Sequence, residues 1–139
     1  MLITSGYSRT PLAKKLGIKK GNHCIFIDTP EHYFSLLIDP PDYRSLVIND
    51  AHNESADFIH LFVRFEKELL SHWDEVKSKL KKDGMLWVSW PKGKSKIEKD
   101  IDENIIRHIG LTGGLVDVKV CAVDEDWSGL KFMYRKKDR

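Results

Sequence analysis

Seven residues carry the chemistry that this sequence can be read for: Asp28, Pro30, Trp90, Lys92, Asp124, Trp127 and Ser128. Two tryptophans, a lysine and two acids are the residue types that hold a planar or charged small molecule, the rings by their faces and the charges by hydrogen bonding. Trp127 has two readings: it is a platform for such a ligand, or a plug that packs the tip of a turn, with Ser128-Gly129 simply making that turn. Other chemistries find less support. The six histidines show no metal-ligand spacing such as H-E-x-x-H. Neither Cys24 nor Cys121 sits in a C-x-x-C pair, and Ser128 lacks the G-x-S-x-G context of an activated serine. Gly93-Lys94-Ser95 resembles the close of a phosphate loop, but Val88 stands where its first glycine would be. A Cys24–His60 nucleophile pair is geometrically possible on neighbouring strands, yet a mid-strand cysteine is buried and inert. No catalytic residue, cofactor site or metal site is therefore assigned.

The elements that must position these residues follow from periodicity. Residues 10–18 read as a short helix with Thr10 as its cap, Pro11 in its first position and Gly17 at its end. His23–Asp28 is an apolar run of strand length, and Pro30-Glu31 opens a short helix through Leu37. Asp39-Pro40-Pro41-Asp42 breaks it. Ser45–Asn49 and Asp57–Val63 are further strands. Over residues 66–82, Leu69, Leu70, Trp73, Val76 and Leu80 recur every three to four positions and predict one apolar helix face. Met85–Trp90 is the next strand, and Asp102–Leu111 the next helix. Val116–Val123 and Leu130–Tyr134 are too close in sequence for a crossover, so they predict an antiparallel hairpin. From residue 23 the order is β-α-β-β-α-β-α-β-β. Apolar strands separated by helices indicate a three-layer α/β sandwich, its sheet mostly parallel and covered on both faces. Parallel strands then end at Asp28 and Trp90 on one edge, where the hairpin also turns. That convergence gathers the seven residues around one rim, at the carboxyl ends where open α/β sheets bind ligands.

The chain of 139 residues suits one domain over 1–139, and its 41% hydrophobic and 32% charged composition is that of an ordinary soluble protein. No apolar run reaches the length of a membrane span, and Met1–Gly6 does not read as a secretory signal. Two buried free thiols in a reducing compartment are the expected state of Cys24 and Cys121, although spacing alone leaves a disulfide open. A formal charge of +2 is too small to imply nucleic acid on its own, and nucleic acid is not the partner expected. The lysines are nevertheless clustered: Lys14, Lys15, Lys19 and Lys20; Lys77 to Lys82; and Lys92, Lys94, Lys96 and Lys99. The last group reads first as a solvated loop. Whether the clusters share a face decides if they form an interaction surface.

Three features resemble the class I S-adenosylmethionine-dependent methyltransferase fold. A helix ending in Leu16-Gly17-Ile18-Lys19-Lys20-Gly21 leads into the first strand, a second ending in Leu80-Lys81-Lys82-Asp83-Gly84 leads into Met85-Leu86-Trp87-Val88, and a hairpin closes the chain. The resemblance implies a Rossmann-like sheet. In that family the first strand ends in an acid and a glycine-rich turn that lets the backbone approach the cofactor. Here the turn is Asp28-Thr29-Pro30-Glu31-His32, and only Asp50–Ala56 stand where the family inserts a helix-strand-helix unit. The blocks Ala13–Gly21, Trp87–Lys92 and Asp126–Lys131 also resemble small bacterial proteins grouped as a domain of unknown function. The function expected is a non-catalytic small-molecule-binding or regulatory protein of the cytoplasm, its partner an unknown small molecule or protein. The alternatives are a methyltransferase with an altered cofactor loop and a basic-loop interaction module.

Overall fold

In the computed structural model, which describes residues 10–139, the chain forms a six-stranded sheet with helices on both faces. The reading of Met1–Gly6 lies outside the described residues. The elements are α1 (Leu12–Leu16), β1 (His23–Ile27), α2 (Tyr33–Leu36), β2 (Arg44–Leu46), β3 (Ala56–Phe62), α3 (Glu66–Lys79), β4 (Leu80–Pro91), α4 (Glu103–Thr112), β5 (Leu115–Ala122) and β6 (Trp127–Tyr134). Strand order is β2-β1-β3-β4-β6-β5. The first four strands are parallel, and β6 runs antiparallel to both β4 and β5. The α/β sandwich and its terminal hairpin are as expected from the pattern.

Alternation along the strands divides the core. Ile25, Ile27, Ile59, Leu61, Leu86 and Val88 point to α3 and α4, where Leu69, Trp73, Val76 and Ile106 meet them. Cys24, Phe58, Phe62 and Trp87 point to the other face, under Leu12 and Leu16 of α1 and Tyr33 and Leu37 of α2. A parallel crossover is right-handed, so stepping from β1 to β2 and from β3 to β4 in opposite directions puts α2 and α3 on opposite faces. Trp87 locks α1 down by donating its indole N–H to the Leu16 carbonyl at 2.7 Å.

Local details differ from the pattern. Helix α1 starts at Leu12 with Pro11 in the cap position and no side-chain cap, one residue later than expected; Gly17 ends it in the left-handed region at φ 93°. Helix α3 stops at Lys79, not Lys82. Leu80 is already extended, pairs with Ala56 and is fully buried. The amides of Glu54 and Ser55 take the Ser78 and Lys79 carbonyls, so strand pairing displaces the last helical turn. Gly84 permits the approach, since a Cβ there would stand 2.9 Å from the Ala56 carbonyl oxygen. Leu70 is 55% exposed and lies outside the stripe of Leu69, Trp73 and Val76. β2 is shorter than expected, and the 47–55 connection to β3 carries no helix.

Candidate functional site

From the adjacent strands β1 and β3 the chain leaves in opposite directions, β1 through α2 on one face and β3 through α3 on the other, so a crevice opens between their carboxyl ends. There the residues Asp28, Thr29, Pro30, Phe62, Arg64, Glu68 and Trp127 enclose a cleft of about 400 Å³. Each is set in place by the element it ends or begins. Asp28 follows β1 at φ 56°, a left-handed conformation that aspartate tolerates better than most side chains. Phe62 closes β3. Glu68 sits in the first turn of α3 and accepts the Arg64 and Phe65 amides at 2.7 and 3.0 Å, which holds the β3–α3 turn. The Arg64 guanidinium lies 5.2 Å from the Phe65 ring centre and has no acidic partner among the described residues.

Trp127 is only 8% exposed and stands edge-on to Phe62, centroids 5.1 Å apart. Its amide and that of Asp126 donate to Asp124 Oδ1, so Asp124 shapes the hairpin tip. The other Asp124 oxygen lies 2.6 Å from His32 Nε2, which ties the tip to the start of α2. Asp28 has a looser partner in His72, 3.7 Å away. Beneath the cleft, His60 stacks on Phe62 and bridges Tyr33 Oη at 2.9 Å and Ser89 Oγ at 2.8 Å. Full burial pulls the imidazole pKa down to about 3, so the ring is neutral, one nitrogen donating and the other accepting. It is the hydrogen-bonded core histidine that its strand position predicts. Cys24 is not its partner: Cys24 pairs with Phe58 along the sheet, and burial followed by the nearby Asp57 pushes its thiol up to about 12. Both cysteines are free thiols, but Cys121 is only half-buried, not buried as expected.

Of the seven residues named from sequence, Asp28, Pro30 and Trp127 line the cleft and Asp124 supports it from behind. Lys92 stands at the hairpin tip, its amide on the Asp126 carbonyl at 2.7 Å. Burial lowers its ammonium pKa, as do Lys94 and Lys15, against the opposing pull of Asp124 and Asp126. Trp90 is 6% exposed and packed in the α3–α4 core, on the face away from Trp127. Ser128 is held within the sheet, between Trp90 and Ala122. Thr29, Phe62, Arg64 and Glu68 complete the lining and were not named. The end of β3 is the sequence signal that points to them, because a switch point lies between two adjacent strands.

A family profile described as a protein of unknown function, DUF3052, matches residues 40–136. No protein of curated function matches the chain in sequence. Among solved structures, the chain is similar to a putative type 11 methyltransferase from Sulfolobus solfataricus, with 18% identity, 90% of each chain covered and a TM-score of 0.66. It is also similar to an S-adenosylmethionine-dependent methyltransferase from Aquifex aeolicus, at 15% identity over 88% of this chain and 87% of that one, TM-score 0.60. A putative methyltransferase in complex with the Haloferax volcanii Trm112 activator gives 10% identity, 88% and 86% coverage, and 0.62. At such identities the likeness is one of fold. The residues after β1 do not suit the cofactor of that fold. A proline without an amide and two further side chains occupy a turn that glycines would leave open, and α2 is a single turn of four residues.

Proposed function

From membership of the DUF3052 family, to which the chain belongs, we propose a non-catalytic small-molecule-binding or regulatory protein on a methyltransferase-like scaffold, with the β1–β3 cleft as its binding place. The observation that carries this reading is the cleft itself: a switch-point crevice whose first turn is Asp28-Thr29-Pro30 rather than glycine-rich. Its lining suits a small polar molecule with one flat or apolar part. Phe62 and Trp127 offer ring surface, and Arg64 a guanidinium able to take a carboxylate or phosphate in two parallel hydrogen bonds. Asp28 and Thr29 offer acceptors and a hydroxyl on the opposite side. The two histidine–carboxylate pairs at the rim, His32–Asp124 and His72–Asp28, each include a well-exposed member. Such exposure favours a binding role over general acid–base chemistry, which gains from a water-excluded site. A cytoplasmic location accords with the two free thiols, and no helix among the described residues is long and apolar enough to cross a membrane.

Thermal shift with a panel of nucleotides and polar metabolites tests the proposal, because a ligand specific for the native state raises the melting temperature. A hit should lose at least about tenfold in affinity in Arg64→Gln, equal to about 1.4 kcal/mol, with the melting temperature of the free protein unchanged. The methyltransferase reading is favoured by the fold alone. It takes over if calorimetry shows micromolar binding of S-adenosylmethionine that its demethylated product competes away.

A further inference from the structure

Lysines distant in sequence meet on one side of the sheet. Lys131 on β6 pairs with Trp87 on β4 and with Lys119 on β5, so the three form one row across the strands and share a face. Trp87 fixes which face that is, since its indole holds the Leu16 carbonyl of α1. Lys15 lies next to Leu16, and Lys19 follows the helix end. Lys131 feels this surrounding: burial lowers its ammonium pKa, and Lys119 and Lys19 lower it further. Lys15 and Lys119 likewise both act on the half-buried Cys121 thiol, opposing its upward shift by burial. Lys92, at the hairpin tip, has its ammonium pKa lowered by burial, Lys94 and Lys15 against the opposing pull of Asp124 and Asp126. None of Lys15, Lys19, Lys119 and Lys131 has an acidic ion-pair partner among the described residues.

This arrangement works against folding. Like charges directly opposite on neighbouring strands destabilise a sheet, and the chain as a whole carries only +2. On the opposite face the clefts beside α3 are lined by Glu66, Asp74 and Asp100 together with Lys67. We propose that the face formed by Lys15, Lys19, Lys119 and Lys131 binds the phosphodiester backbone of a nucleic acid without sequence preference. Lys19 borders one of four surface clefts of 360–580 Å³, but Lys119 and Lys131 line none of them, so an extended anion suits the pair better than one small phosphate. The next pair on this face, Cys121 and Gly129, presents no large exposed apolar side chain, while exposed Val118 and Val120 flank Lys119 along β5. Lysine supplies point charges without the planar fork that reads guanine, so it holds a backbone and ignores sequence.

Fluorescence anisotropy with a labelled oligouridylate and a labelled RNA duplex of about 20 nucleotides, between about 50 and 200 mM salt, reads this directly. Binding is expected to weaken steeply with salt. Lys119→Gln/Lys131→Gln should cut affinity at least about tenfold and reduce the logarithmic salt slope by about two. Relief of the cross-strand repulsion should keep the melting temperature of that variant at or above the parent's. Lys15→Gln/Lys19→Gln tests the same face from α1 and should lose a similar share. Lys67→Gln/Lys136→Gln makes the same change in net charge elsewhere and should bind as the parent does. The proposal is overturned if the parent does not bind, if the Lys67/Lys136 variant loses as much as the other two, or if polyglutamate of similar length competes as well as RNA. The last result would assign the face to an acidic protein.

Discussion

Of the two roles open to Trp127, platform and plug, its surroundings make the plug the larger part. At 8% exposure and edge-on to Phe62, its ring closes the top of the α1–α2 side of the core while one border faces the cleft. Trp127→Ala should therefore cost about 3 kcal/mol, measured as a lowered denaturant midpoint. A variant that keeps the parent's midpoint and loses only ligand would restore the platform. His60 gives a second test at this scale. Its pKa falls from an ordinary 6.5 to about 3 in the folded chain, so below 6.5 the unfolded chain takes up a proton that the folded chain refuses. The contribution of His60 is thus complete above about pH 6.5 and drains away as pH drops toward 3, at up to about 1.4 kcal/mol per pH unit. His60→Phe should flatten that acid limb in denaturation curves taken between pH 4 and 8. It should also lose stability at pH 7, because Tyr33 Oη and Ser89 Oγ are then left buried without their partner. An acid limb of unchanged steepness would assign the proton to another group.

Helices α3 and α4 are positioned by side chains that periodicity ranks imperfectly. Leu69 is fully buried and Leu70 is not. Leu69→Ala should cost about 3 kcal/mol, while Leu70→Gln should fall within about 0.5 kcal/mol of the parent. Equal losses in the two variants would mean that Leu70 is covered in solution. In α4, Gly110 sits where a Cβ would come within 2.1 Å of the Phe132 ring. Gly110→Ala improves helix propensity by about 1 kcal/mol, but the ring has β6 beneath it and Trp73 at its edge. Overpacking of about 1–3 kcal/mol should win, and the melting temperature should drop. A rise would show that α4 can lift off the sheet at little cost.

At the scale of the whole molecule, the order of elements along the chain is legible in the sequence and the candidate site only partly so. Strand length and spacing in the sequence were enough for the β-α-β-β-α-β-α-β-β order, the parallel strands and the hairpin, because alternation and short connections leave few ways to bury the apolar residues. They also placed Asp28, Pro30 and Trp127 at one edge, since parallel strands send their carboxyl ends the same way. Three things depended on tertiary contacts. Trp90 went into the α3–α4 core because the pleat sends adjacent strand residues to opposite faces. The last turn of α3 became strand because Ala56 offered Leu80 a buried partner. Arg64, Glu68, Phe62 and Asp28 met only because β1 and β3, separated in sequence by α2 and β2, are neighbours in the sheet. The lysine face has the same origin. Each cluster is visible in the sequence, but the register that sets Lys119 against Lys131 and the hydrogen bond that lays α1 over Trp87 are long-range choices. Local pattern fixes which residues are buried and in what kind of element; which of them become neighbours is decided by packing between segments far apart in the chain.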